Sequence, residues 1–144
     1  MSILEQLRAG VITTSAEAMQ ALAVELALVL PDDTTLALHG DLGVGKTTFV
    51  QGLARGLGIT EPVTSPTFTL YTLHRGPRHL LAHLDAYRLT DAAQLDALML
   101  DDFLISPYCL AIEWPENIAA RLPSNALHLD LGITADGRHP IRLR

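Results

Sequence analysis

A short apolar run, Thr35-Leu36-Ala37-Leu38-His39, precedes a helical pattern carried by Phe49, Val50, Leu53, Ala54 and Leu57, with Gly58 near its C-cap. Between them lies Gly40-Asp41-Leu42-Gly43-Val44-Gly45-Lys46-Thr47, which satisfies the spacing G-x-x-x-x-G-K-[ST]. A loop of this kind, after a strand and before a helix, has the context needed to wrap a polyphosphate. Its glycines let the backbone approach closely and take positive φ. Its N–H groups and the helix N-terminus offer partial positive charge to an anion. Lys46 can reach the β- and γ-phosphates as a compact charge, and the Thr47 hydroxyl can coordinate Mg2+. A chance match at ordinary residue frequencies is roughly one in a few hundred for a chain of this size. Of the 10 basic residues only Lys46 is a lysine. The sole lysine therefore stands where this chemistry requires one.

The rest of the chain supplies the surroundings of an α/β fold. Thr14-Ser15-Ala16-Glu17 fits a capping box with Thr14 as N-cap. Ala18, Leu22, Leu26 and Val29 continue it as an amphipathic helix to about Leu30. Pro31-Asp32-Asp33 turns the chain into the first strand. Residues 67–74 alternate as a strand, Arg75-Gly76-Pro77 turns, and Arg78–Asp85 returns as another. Thr90 or Asp91 caps a helix whose inner face is Leu95, Leu98, Met99 and Phe103. Cys109–Ile112 is an apolar strand ending at Glu113, and Pro115 starts a short helix through Arg121. Ala126–Leu131 and Pro140–Leu143 read as the arms of a hairpin, with Asp136-Gly137 as a tight-turn pair. Strands alternating with helices predict a small three-layer α/β domain with a mixed, partly antiparallel sheet, spanning 1–144 without an internal boundary.

Composition excludes several classes. The chain has 144 residues, 49% of them hydrophobic, enough to bury a core without disulfides or a structural metal. One cysteine, Cys109, leaves no framework of bridges and no cysteine-rich zinc site. The N-terminal MSILEQLRAG lacks the long apolar core of a signal peptide, and no apolar run is long enough to span a bilayer. A cytoplasmic protein is expected. The net charge is −6 and no basic run exists, so the chain is poorly suited to gripping a nucleic-acid backbone by charge.

A phosphate loop also needs an acidic residue at the end of a neighbouring strand to hold the metal's water shell. Two strands end that way, Leu110-Ala111-Ile112 into Glu113 and Leu80–Leu84 into Asp85. Carboxylates there would face the crevice where α/β sheets take ligands. Either could also be a strand-end acid bonded to backbone N–H groups. His83 lies two residues before Asp85, hence on the same strand face; the two could form a polar pair near the metal, but a buried histidine with one backbone hydrogen bond is a simpler reading than a ligand. Trp114, the single tryptophan, reads most simply as a packing residue, but because it follows Glu113 directly it falls near the nucleotide. Ser65-Pro66-Thr67-Phe68 is either a proline-fixed turn or a hydroxyl-bearing segment that senses the γ-phosphate. Asp96, Asp101 and Asp102 read as a solvated helix face, and Cys109 as core.

Together GDLGVGKTT (40–48), SPTF (65–68), HLDAYRL (83–89) and IEWPE (112–116) resemble, in order and spacing, the TsaE (YjeE) family of small phosphate-loop ATPases of tRNA threonylcarbamoyladenosine (t6A) modification. The resemblance covers nearly the whole chain. It implies a P-loop NTPase-like domain with ATP bound by Gly40–Thr47 and Thr48, and Mg2+ held by Thr47 and Glu113. It implies that Asp85 is required for hydrolysis, with the Ser65–Phe68 segment, including Thr67, acting as a switch near the γ-phosphate; in the expected mechanism Lys46 offsets charge and either Asp85 or Glu113 orients the water. Ser15 and Arg138 are further implied nucleotide contacts, beside Trp114, which its place after Glu113 already suggests. The implied partners are the TsaB and TsaD proteins, with tRNA reached only through them and the isolated chain monomeric. Asp41 and Val44 replace the family's usual Glu and Ala at positions whose backbone does the binding. A small-molecule kinase and a nonenzymatic nucleotide-dependent binding module are the competing readings. The scattered arginines, with no arginine-rich lid, speak against the kinase.

Overall fold

The computed structural model describes residues 1–66 and 69–144. Three helices come first on one face of the sheet: α1 (Ile3–Ala9), α2 (Ala16–Ala27) and α3 (Lys46–Gly56). A shorter helix, α4 (Ala92–Ala97), and two 3₁₀ segments (Leu100–Asp102 and Pro115–Arg121) cover the other face. The strands are β1 (Val11–Thr13), β2 (Thr34–His39), β3 (Tyr71–Arg75), β4 (Leu80–Asp85), β5 (Tyr108–Glu113), β6 (Leu127–Leu131) and β7 (His139–Leu143). They form one sheet in the order β1-β7-β6-β2-β5-β4-β3. The central four, β6, β2, β5 and β4, are parallel. β3, β7 and β1 join antiparallel at the edges. This is the mixed three-layer α/β arrangement predicted from the alternation of elements.

Layering explains the composition of the strands. β4 and most of β5 are buried on both faces, so they read as near-continuous apolar runs. Leu81, Cys109 and Ala111 pack with α1, α2 and α3, whereas Ala82, Leu84, Leu110 and Ile112 pack under α4 and the 3₁₀ segments. Side chains alternate along a strand, so His83, Asp85 and Glu113 project to the α3 side. Register sets Asp85 opposite Glu113 across the β4–β5 pair. Burial pushes the Cys109 thiol up to about 12, so it is an inert core residue.

Several elements differ from the sequence reading. α1 and β1 were not anticipated. α1 is capped by Ser2, whose hydroxyl accepts from Glu5 N, and β1 exists only because β7 pairs with it. The N-cap of α2 is Ser15, not Thr14: Ser15 Oγ accepts from Ala18 N at 3.0 Å. Of Thr90 and Asp91, Asp91 caps α4. The expected single helix through Phe103 breaks at Met99, which takes a left-handed φ of 54°. Met99 and Phe103 are exposed rather than on the inner face, and Leu100 is buried instead. β3 begins at Tyr71 and includes Arg75, so the turn shifts to Gly76–His79. The Asp136-Gly137 hairpin is present, closed by Thr134 N to Arg138 O at 2.8 Å.

The contact between α2 and α3 fixes where the phosphate loop ends. Gly52 and Gly56, one turn apart on α3, lie against Ala23 and Ala27 of α2. A Cβ on Gly52 would sit 2.6 Å from the Gln20 carbonyl oxygen and 2.7 Å from Ala23 Cβ. In an exposed helix, Gly→Ala gains up to about 1 kcal/mol of propensity. Here the backbone of α2 blocks the methyl group and reverses the sign. Gly52→Ala is expected to lower stability by about 1–3 kcal/mol, the usual cost of overpacking, read as a lower urea midpoint with unchanged slope.

Candidate active site

The loop between β2 and α3 needs glycine at two places on steric grounds. Gly40 has φ 146°, and a Cβ there would stand 2.4 Å from the Leu131 carbonyl oxygen. Gly45, at φ 99°, starts α3 and would meet Met19 Sδ at 2.7 Å. Gly43, also at positive φ, has open space beside it. The loop thus lies close on β6 and α2 at its two ends and is free in the middle.

Lys46 at the first position of α3 is buried. Its Nζ donates to Gly40 O at 2.5 Å and stands 3.7 Å from the centre of the Trp114 ring. Burial holds the ammonium below its ordinary value, while Glu113, Glu116, Asp85 and Asp41 pull it up. Trp114 has a left-handed φ of 57° and packs against Tyr87 with ring centroids 5.0 Å apart. An indole held in that backbone region beside a lysine marks a site whose surroundings override local preference.

Opposite the loop stand the two carboxylates. Thr47 Oγ1 donates to Glu113 Oε2 at 3.0 Å. His83 Nε2 contacts the same oxygen at 2.6 Å. Asp85 Oδ1 accepts from Tyr87 N at 3.0 Å. Both acids are nearly closed off from solvent, at 6% for Asp85 and 5% for Glu113. Between loop and carboxylates opens a cleft of about 400 Å³, lined by Gly43, Gly45, Lys46, Thr47, Asp85, Glu113 and Trp114, with Leu42, Thr48, Ser65 and Tyr87 at its sides.

The structure therefore brings together Leu42, Gly43, Gly45, Lys46, Thr47, Thr48, Asp85, Glu113 and Trp114 around one space. Gly40 supports Lys46 from behind, Val44 is buried, and Asp41 is exposed at the loop's start. Ser15 lies one turn before Met19, which packs on Gly45, and its hydroxyl is already engaged in capping α2. Arg138 sits in the β6–β7 turn with its Nε 3.0 Å from Asp136 Oδ2. Its neighbour His139 bonds Val44 O at 3.1 Å, which brings that turn to the rim of the loop. Ser65 lines the cleft, while Thr67 and Phe68 lie outside the described residues. Two features were missed. Tyr87 lines the cleft, and only its place two residues after Asp85 signalled it. His83 contacts a carboxylate rather than the backbone.

A model of the family "Threonylcarbamoyl adenosine biosynthesis protein TsaE" matches residues 13–140. This chain belongs to the TsaE family. Nucleotide binding follows from that membership. Among curated relatives, the TsaE of Treponema pallidum is 39% identical over 78% of this chain and 83% of its own length. The TsaE of Bacillus subtilis is 36% identical over 90% of this chain and 80% of its own. Both are named tRNA threonylcarbamoyladenosine biosynthesis proteins. The crystal structure of Bacillus subtilis YdiB superposes with a TM-score of 0.77 at 32% identity, covering 92% of this chain and 81% of that one. Among the described residues no helix is long and apolar enough to cross a membrane.

One titrating group borders the loop. His39, which precedes Gly40, stacks on His128 at 5.1 Å between centroids, with Nε2 2.8 Å from Nδ1 of His128. Burial lowers its pKa, Arg144 and His128 act in the same direction, and Asp130 and Glu116 oppose them. The unfolded chain then takes up this proton first as pH falls. The stabilisation is whole above the ordinary imidazole value of about 6.5 and is lost as pH falls through the lower folded value. Urea unfolding between about pH 7.5 and about pH 5.5 is expected to show a fall in stability that is smaller in His39→Asn.

Proposed function

We propose that this chain binds ATP with Mg2+ in the cleft above the 40–47 loop and hydrolyses it in support of t6A formation on tRNA. The observation that carries the reading is the convergence of Lys46 and Thr47 at the start of α3 with Asp85 and Glu113 at the ends of β4 and β5. The names of the relatives supply the pathway. The proposed partners are the TsaB and TsaD proteins, with tRNA held by them, in the cytoplasm. The net charge of −6 agrees with a subunit that does not itself grip RNA.

The donors suit Mg2+, which binds hard oxygen ligands and takes one or two from protein while keeping waters and phosphates. Thr47 Oγ1 and Glu113 Oε2 are such oxygens, 3.0 Å apart. When bound, the ion would offset charge on the β- and γ-phosphates. The loop amides and Lys46 do the same from the opposite side, and the low exposure of Lys46 strengthens its attraction for an anion. Asp85, opposite Glu113 across the β4–β5 pair and with its Oδ1 held by the Tyr87 N–H, is proposed to orient the attacking water and accept its proton. Ser15, Thr48, Trp114 and Arg138 are proposed as further nucleotide contacts, and Ser65–Phe68 as the segment that responds to the γ-phosphate.

Among the described residues that line the cleft, Lys46 is the one cation. Inside the cleft, charge developing on the transferred phosphoryl group would meet Lys46 alone among those lining residues, and a second cation, as fast phosphate-loop enzymes use, would come from the rim or from a partner. Slow turnover by the isolated chain is expected, with acceleration by TsaB and TsaD. The measurement is phosphate release, with and without the two partners, for wild type, Lys46→Ala and Asp85→Asn. Each variant is expected to lose about 100-fold or more of the complex-dependent rate. Complex-dependent turnover that survives Lys46→Ala would refute the assignment.

A further inference from the structure

We infer that His83 is a positioning residue for Glu113: its Nε2–H holds the carboxylate against Thr47, so the proposed ion site is built before an ion arrives. The inference rests on the Mg2+-nucleotide reading above and adds a role to a residue outside the cleft lining. His83 is wholly buried, at 0% exposure, in the middle of β4. Its Nε2 lies 2.6 Å from Glu113 Oε2, and among the described residues its Nδ1 has no hydrogen-bond partner.

Those two facts select one tautomer. A carboxylate oxygen can only accept, so the ring proton belongs on Nε2. Nδ1 is then a bare lone pair in the core, which costs less than an unpaired N–H would.

Packing alone does not call for histidine here. Leucine would fill the place between β3 and β5 without an orphaned nitrogen, and its neighbours Leu81 and Leu84 are both wholly buried. What leucine would lose is the donor on Glu113. With Thr47 on one side and His83 on the other, Glu113 Oε2 is held by two fixed donors from α3 and β4. This is the relation of an outer partner to a metal-side carboxylate, where removal usually weakens metal binding by about 10- to 100-fold.

Two conservative variants separate this role from a packing role. Gln places an amide N–H near the position of the imidazole Nε2, whereas the shorter Asn reaches only the position of Nδ1. Binding of Mn2+ is followed by electron paramagnetic resonance in the presence of ADP, and ADP binding is measured separately in chelator. His83→Asn is expected to bind Mn2+ about 10- to 100-fold more weakly, and His83→Gln to stay within about threefold of wild type. ADP binding in chelator should be equal in all three. Wild-type strength in His83→Asn, or an equal loss in both variants, would overturn the inference. A second measurement needs no variant: long-range proton–nitrogen correlation on the wild-type chain should give the Nε2–H pattern for His83. An Nδ1–H pattern would overturn the inference as well. Wild type that binds ADP with no Mn2+ contribution would refute the metal reading itself, a result distinct from failure of the His83 contrast.

Discussion

The carboxylate of Glu113 ties three distant pieces of chain together. It ends β5, accepts from Thr47 in the first turn of α3, and meets His83 from β4. Taking such a charge out of water costs several kcal/mol. The hydrogen bonds from Thr47 and His83 offset part of that cost. The value of Glu113 lies in holding a negative oxygen, nearly dry, beside the phosphate loop.

Lys46 supplies the opposite charge and has partners of its own, the Gly40 carbonyl and the Trp114 ring. Both are weaker acceptors than a phosphate oxygen, so an anion entering the cleft competes on favourable terms. Asp85, Glu113, Glu116 and Asp41 all favour the charged lysine, against the burial that disfavours it. Among the described residues that line the cleft, Lys46 is the one cation, and it faces Asp85 and Glu113. That balance suits a polyphosphate carrying its own divalent ion better than a bare anion.

Much of the architecture was legible because it is written in contiguous residues. The loop, α3 and the acid-terminated strands β4 and β5 follow from local pattern, and the β6–β7 hairpin from Asp136-Gly137. What was missed depends on partners far away. Val11–Thr13 is three residues long and is a strand only because residues 139–141 lie beside it. Thr14 and Ser15 are equivalent caps by chemistry; Thr13 Oγ1 bonds His139 O and anchors the chain so that Ser15 starts the helix. The pattern 91–103 suits one helix locally, but the chain turns at Met99 so that Leu100 can enter the core.

The candidate site divides along the same line. Gly40–Thr47 could be picked out as a candidate from sequence alone, since its pattern resides in eight consecutive residues. The acidic ends of β4 and β5 were visible as types of residue in the right kind of place. The resemblance pairs Thr47 with Glu113; that the two hydrogen-bond directly, and that His83 meets the same oxygen, was decided only by tertiary structure. Those contacts depend on the β4–β5 register that sets Asp85 opposite Glu113 and on α3 packing closely enough over β5 for Thr47 to reach it. Register and helix approach are set by burial summed over the whole sheet and by Gly52 and Gly56 against α2, and no local window of residues contains that information.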